Sequence, residues 1–462
     1  MKRHFLVILF CLCIQLISAQ IFKVDTIQYA GKIDNRINIV ILGDGYTAEE
    51  MPVFLNDARE FSKALFQESP YSQYKSYFNL YAIETPSAES GANHPRTGLE
   101  NHDEFGDHPF RLVDNYFGST FDFWGIHRLL VASKISKITN VLANNFPSYD
   151  IAIIIVNTKY WGGAGGVFAT ASAKIPNIII HEMGHTFSGL GDEYFAGDQF
   201  FVERANMTKE NDPEAVKWKN WMNDYGIDIN SYEGSTMASN WYHPHINCKM
   251  GDSGYRFCSV CQEGTIEKIH SLVSPIDSYF PSNIDHIVLS ESMKFGVSLN
   301  KPNPNTLEIK WYLDGEFVFE NIENISIAPN YFEPGEYQIQ VLIEDNSSLL
   351  RTDEHGMIHA YSILWTIDTR TFNYVDISEE DIQIEIFPNP TNEVLNIHLS
   401  GKLGDETIVT VYNIQGIELL TKKMKKEIIP MEFNLQNLPG GVYILKFQLS
   451  SGHVITRKIV KG

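Results

Sequence analysis

Pro176-Asn177-Ile178-Ile179-Ile180-His181-Glu182-Met183-Gly184-His185-Thr186-Phe187-Ser188-Gly189-Leu190-Gly191-Asp192-Glu193-Tyr194 packs a helix, its stop signal and a set of metal-binding side chains into nineteen residues. Pro176 suits a first helical turn, Ile178 to Ile180 supply the buried side, and Gly189 and Gly191 end the helix. Histidines four apart lie on one face, one turn from each other. That spacing lets two imidazoles share one zinc ion at about 2.0–2.1 Å each. Glu182 projects beside the metal without reaching it, placed to accept a proton from a water there and pass it to a leaving amine. A catalytic zinc keeps three protein ligands and one open position. Gly189 permits a chain reversal, and Asp192 is the first residue after it able to bind metal. Asp192 is therefore the expected third ligand, with Glu193 second and His243 or His245 more distant alternatives. The bland reading makes His181 and His185 ordinary helix residues and Asp192 a helix-terminal carboxylate.

Working outward, residues 20 to 275 read as one α/β unit. Ile37 to Leu42 is a continuous apolar run, as in a strand buried on both faces. Thr47-Ala48-Glu49-Glu50 is a capping box, followed by Met51, Phe54, Leu55, Ala58, Phe61 and Leu65 at helical spacing. Phe78 to Glu84 is a further strand. The spacing of Leu129, Leu130, Ile138, Val141 and Leu142 predicts a second helix over 125–143, stopped by Pro147. Ile151 to Val156 is the most hydrophobic strand. Strands alternating with helices predict a three-layer α/β (α+β) domain.

From 276 helical periodicity stops. Short alternating segments separated by Pro, Gly and Asn predict an immunoglobulin-like β-sandwich over 276–375. An acidic linker follows at 376–385, then a last small β-sandwich over 386–462. The fold expectation is thus one catalytic α/β domain followed by two small all-β sandwiches.

Length and composition agree with a folded multidomain chain: 462 residues, 44% hydrophobic and 20% charged. A net charge of −21 argues against nucleic acid or an anionic membrane surface as partner. Lys2 and Arg3, the apolar run Phe5 to Ile17 and Ile17-Ser18-Ala19 read as a signal peptide over 1–19, so the mature chain is expected to leave the cytoplasm. Cys11 and Cys13 fall inside it. No later segment is long and apolar enough to span a bilayer. The remaining Cys248, Cys258 and Cys261 are expected to form one disulfide with a spare thiol in an oxidising compartment. The rival is a structural metal knot, which three cysteines leave incomplete unless His243 or His245 joins.

Two further stretches carry paired readings. Trp161-Gly162-Gly163-Ala164-Gly165-Gly166 lacks the residues of a phosphate-binding loop. It is either a flexible connector or the approach to a substrate-pairing edge strand beginning at Gly166, Val167, Phe168 and Ala169. His94, His102 and His108 with Asp103, Glu104 and Asp107 form either a second, structural metal site for Ca2+ or Zn2+, or a solvated loop.

HEMGHTFSGLGDEY resembles the HExxHxxxxxxDEY signature of the IgA-peptidase family of metzincin-like zinc endopeptidases. The resemblance extends through Gly43-Asp44-Gly45-Tyr46, Glu84-Thr85-Pro86-Ser87, Cys248-Lys249-Met250 and Phe257-Cys258-Ser259-Val260-Cys261. It implies a metzincin-like fold, one catalytic Zn2+ on His181, His185 and Asp192, and peptide or protein substrates. It also implies a methionine under the metal, Met250, with Met237 the alternative. The spacing departs by one residue from the strict metzincin HExxHxxGxxH, and its last His is replaced. Phe387-Pro388-Asn389-Pro390, Gly440-Gly441-Val442-Tyr443 and the terminal Lys458-Ile459-Val460-Lys461-Gly462 resemble the sorting domain of type IX secretion substrates. That implies transport by this machinery across the outer membrane, to the cell surface or beyond. The function expected is a secreted zinc endopeptidase with Glu182 as general base. A zinc amidase or esterase on non-protein substrates and a non-catalytic surface adhesin are the alternatives.

Overall fold

The computed structural model describes residues 20–99, 108–222, 224–284, 286–370, 382–401, 406–413, 417–425, 431–449 and 454–462. The leader over 1–19, His102, Asp103, Glu104, Asp107 and most of the acidic linker lie outside the described residues. Among the described residues no helix is long and apolar enough to cross a membrane.

Every residue of the strand Ile37–Asp44 (β2) is buried. Its side chains alternate between two cores: Ile37, Ile39 and Ile41 face one, Val40 and Leu42 the other. A strand sandwiched in this way needs layers on both sides of its sheet, as the apolar run predicts. The six-stranded sheet also holds Val24–Gln28 (β1), Phe78–Ile83 (β3), Ile151–Val156 (β6), Gly163–Ala164 (β7) and Ala169–Ser172 (β8), in the order β1-β3-β2-β6-β8-β7. β3, β2, β6 and β8 run parallel, while β1 and β7 close the two edges antiparallel. Met51–Leu65 (α1) and Pro176–Thr186 (α3) share the first core, and Ile135–Asn145 (α2) lies in the second. The capping box forms as read: Thr47 caps the Glu50 backbone while the Glu50 carboxylate accepts from the Thr47 N–H at 2.9 Å.

The helix expected over 125–143 begins ten residues later, at Ile135. Asp122, Trp124 and Gly125 turn the chain with φ of 58°, 53° and 78°. Val131–Ala132 (β5) then pairs antiparallel with Ser119–Thr120 (β4). Leu130 still reaches the core shared with Ile138 and Leu142, but from extended chain rather than from a helix face. Leu129 bridges to Gly163 and the residues just after Leu130 pair with β4, so tertiary pairing overrides the helical spacing here.

Gly43-Asp44-Gly45-Tyr46 is a structural knot at the end of β2. Asp44, fully buried, accepts the backbone N–H of Gly45, Phe117 and Ser119 at 3.1, 2.9 and 2.9 Å. Thr85 donates to the Gly43 carbonyl at 2.9 Å, and Tyr46 donates to Asp57 at 2.8 Å.

The described residues form two compact units. One takes in residues up to 283 with 294–325 and 338–365; the other takes 284–293, 326–337 and 366–462. Within the first, Ile276–Phe280 pairs antiparallel with Gly296 to Leu299, and Leu307–Leu313 pairs antiparallel with residues 339–345. These strands are tied to the helical part through Asp345, which accepts from Tyr74 Oη at 2.6 Å and His270 Nε2 at 3.0 Å. Asp345 is held below the usual carboxylate range: burial works to raise it, and hydrogen bonds from His270, Thr306 and Tyr74 outweigh that. Within the second unit, residues from 382 onward build a three-stranded and a four-stranded antiparallel sheet. Leu395, Ile397, Val411, Phe433, Leu445 and Phe447 form the core between them.

Candidate metal centre and its neighbours

α3 brings the first pair of side chains together as the spacing predicts. The imidazoles of His181 and His185 lie 5.0 Å apart between ring centres. The chain leaves α3, turns at Gly189 with φ of 67°, and returns Asp192 to the same face. Asp192 Oδ1 sits 3.3 Å from His181 Nε2 and 3.2 Å from His185 Nε2. A spacing of 3.2–3.3 Å from Asp192 Oδ1 to each Nε2 is what neighbouring ligands of a tetrahedral ion with bonds of about 2.0–2.1 Å require.

The tautomer of each ring is set from behind. His181 Nδ1 contacts the Lys249 carbonyl at 2.7 Å, and His185 Nδ1 contacts the Leu190 carbonyl at 2.9 Å. A carbonyl only accepts, so both Nδ1 atoms donate and both Nε2 atoms face Asp192. Burial would lower both histidines, but the Asp192 carboxylate and the Glu182 charge outweigh it, raising His181 and pushing His185 up to about 9. Asp192 shows the reciprocal effect: burial works to raise it, and the two imidazoles hold it well below the usual carboxylate range. Glu182 is buried beside them, and that burial raises its carboxyl. The donor set of two imidazoles and a carboxylate, with tautomers already chosen, fits a zinc ion.

Met250 lies directly under the helix. It is fully buried, and a Cβ added at Gly184 would fall 2.5 Å from its sulfur. Only glycine at 184 leaves room for that contact. Met237, the alternative, is 53% exposed.

Several expectations need correction. Cys248, Cys258 and Cys261 are free thiols, all buried, so the expected disulfide is not formed. The partner missing from the cysteine set is Glu193: its Oε1 lies 3.1 Å from Cys261 Sγ and 4.0 Å from Cys258 Sγ. Glu193 thus faces the cysteines while Asp192 Oδ1 faces the two imidazoles, because neighbouring side chains diverge. His243 stands beside this second cluster, with Nδ1 3.8 Å from Glu193 Oε2, and contacts the His245 carbonyl at 3.1 Å. His245 accepts from the Asn247 N–H.

The edge strand proposed from Gly166 is displaced. The edge of the sheet is β7, and Gly166, Val167 and Phe168 make the turn into β8, with Gly166 at φ of 145° and Val167 76% exposed. Ala169 opens β8, which is flanked on both sides by β6 and β7. The glycines serve close packing instead, since a Cβ at Gly163 would fall 2.8 Å from Glu182 Oε1.

His94 and His108 come together with His127, while the acidic residues of their loop lie outside the described residues. The three rings are buried, and Asp122 holds His127 Nδ1 at 2.9 Å and His94 Nε2 at 3.4 Å. Three nitrogen donors do not suit Ca2+, which takes six to eight oxygens. Nothing in the sequence pointed to His127 or to Glu193 in these clusters, because their partners are remote in the chain.

Comparison with known proteins bears on both ends of the chain. Residues 26–227 match the family described as IgA Peptidase M64, which implies a peptidase. Residues 385–462 match the secretion system C-terminal sorting domain, of the type IX kind, which indicates export across the outer membrane to the cell surface or extracellular space. Beta-agarase D of Zobellia galactanivorans is 31% identical over 78 residues, 17% of this chain and 15% of that protein's length. Among solved structures, latent PorU of Porphyromonas gingivalis is 14% identical over 40% of this chain and 20% of its own, with a TM-score of 0.16. Fibronectin(III)-like modules of Clostridium thermocellum CbhA are 10% identical over 40% of this chain and 91% of theirs, with a TM-score of 0.21. Overlaps this slight carry no argument about fold or function. The two family matches do, and they identify residues 26–227 with the IgA Peptidase M64 family and residues 385–462 with the type IX sorting domains.

Proposed function

We propose that the chain is an exported zinc endopeptidase, with His181, His185 and Asp192 holding the ion and Glu182 acting as general base. The observation that carries this reading is the convergence of Asp192 Oδ1 on both imidazole Nε2 atoms, with carbonyls behind each ring fixing the tautomer. A zinc ion held there would polarise the scissile carbonyl and lower the pKa of a water beside it. Glu182 lies next to the site, and burial raises its carboxyl toward the range of an effective base near neutral pH. It takes the proton of the attacking water and delivers it to the leaving amine. Met250 and the Lys249 carbonyl keep the helix and His181 in position. The family match supports a peptide bond as the target, and the sorting domain, by indicating export of the chain, supports a substrate outside the cell.

The test pairs metal content by mass spectrometry with cleavage of a random-peptide mixture, for wild type and Glu182→Gln. Zinc in both, with cleavage reduced about 10²–10⁴-fold or more in the variant, is the expected result. Cleavage undiminished in Glu182→Gln would remove the general-base role, and a wild-type protein whose histidine site takes no zinc would remove the site assignment.

A further inference from the structure

We propose that Glu193, Cys248, Cys258 and Cys261 form a second, structural metal site that takes one zinc ion and braces the segment carrying Asp192. The four ligand atoms lie within 4.8 Å of one another, and all four residues are buried. Cys248 and Cys261 sulfurs are 3.7 Å apart. A disulfide bond is about 2.05 Å, whereas thiolates at about 2.3 Å on a tetrahedral zinc stand about 3.8 Å apart. The spacing matches neighbouring ligands of one ion.

The local structure is arranged for such an ion. Cys258 and Cys261 make a C-x-x-C pair at the start of the helix Ser259–Leu272 (α4), with Cys258 as its N-cap. The positive end of the helix favours thiolate there. The Cys258 N–H also points at Cys248 Sγ from 3.3 Å. On the carboxylate, Oε1 accepts from Asn206 Nδ2 at 3.0 Å, while Oε2 is buried without a hydrogen bond. Buried charges are paired or coordinate metals, and sulfur is a poor partner for a carboxylate without a cation between them. Thiolates select zinc over hard cations such as Ca2+ and Mg2+.

The position gives the ion a task. Glu193 follows Asp192 directly, and its N–H donates to the Met250 carbonyl at 2.8 Å. Cys248 precedes Lys249, whose carbonyl sets the His181 tautomer. One ion on these four residues would therefore clamp the Asp192 segment, the Lys249–Met250 segment and the start of α4 together. The ligands are distinct from those of the catalytic site, so this inference does not depend on that reading.

The experiment uses the full exported chain and the double variant His181→Ala/His185→Ala. Zinc is counted by mass spectrometry, and alkylation in denaturant without reductant is mapped onto the three cysteines. The metal-stripped double variant is then reloaded with cobalt. The expected result is two zinc ions in wild type and one in the double variant. All three cysteines should alkylate, and the cobalt-loaded double variant should show a thiolate-to-cobalt charge-transfer band that is lost in a further Cys261→Ser change. One zinc in wild type with none in the double variant, or a Cys248–Cys261 disulfide in the peptide map, would overturn the proposal. One zinc in each protein, with the charge-transfer band present, would instead sink the catalytic site and leave this one standing.

Discussion

Gly184 and Met250 occupy one another's space: a single carbon added to the glycine would sit 2.5 Å from the methionine sulfur. Gly184 lies between Glu182 and His185 on α3, so the position of Met250 and the level of the helix are set together. Gly184→Ala should destabilise the protein by about 1–3 kcal/mol through overpacking. Met250→Ala should cost about 2–5 kcal/mol by opening a cavity. Because the two changes act on the same contact, the double variant should be less destabilised than the sum of the singles. Urea unfolding of the four proteins measures the coupling, and strict additivity would mean the two residues do not share that space.

Removing Asp192 should separate its role from that of its neighbour. Loss of a residue that merely supports a ligand already weakens metal binding by about 10–100-fold. Asp192→Ala should therefore weaken zinc binding at the histidine site by more than about 100-fold, read by competition with a chromophoric chelator. An unchanged affinity would leave the site with His181 and His185 alone.

The metal-free protein should have a characteristic pH profile. His185 is pushed up to about 9, against about 6.5 in the unfolded chain, so the folded state binds the extra proton. That stabilisation is fully present below pH 6.5 and fades as pH rises through 9. Its size is at most on the order of 2–3 kcal/mol, since the charge is shared with His181 and Asp192. Asp192 acts in the opposite range, stabilising above its unfolded pKa near 3.9 and losing that contribution in acid. Thermal midpoints of chelator-stripped wild type should fall between pH 6.5 and 9 more steeply than those of stripped His185→Ala. Equal slopes would contradict the ion pair.

Asp44 is expected to matter for folding rather than for chemistry. Asp44→Ala orphans the buried N–H groups of Gly45, Phe117 and Ser119, at about 1–3 kcal/mol for each. Asp44→Asn keeps one acceptor oxygen and should lose less. Denaturant midpoints rank the three proteins; an alanine variant as stable as wild type would show that water replaces the carboxylate.

What the sequence alone determined is what local rules govern. The HExxH pair, its helix between Pro176 and Gly189, the capping box at Thr47 and the apolar strands Ile37–Asp44 and Ile151–Val156 each depend on residues a few positions apart. Periodicity and capping are local physics, so these were legible without coordinates. The return of Asp192 to the histidine face was legible too, because one glycine turn separates it from His185. Tertiary structure decided the rest. Residues 125–134 were expected in a helix, but Val131 and Ala132 pair instead with Thr120 and Ser119. Glu193 joined cysteines 55 to 68 residues away, and His127 joined His94 and His108. Such sets are assembled by the packing of a whole sheet and its helices, where a side chain's neighbours are fixed by burial rather than by position along the chain.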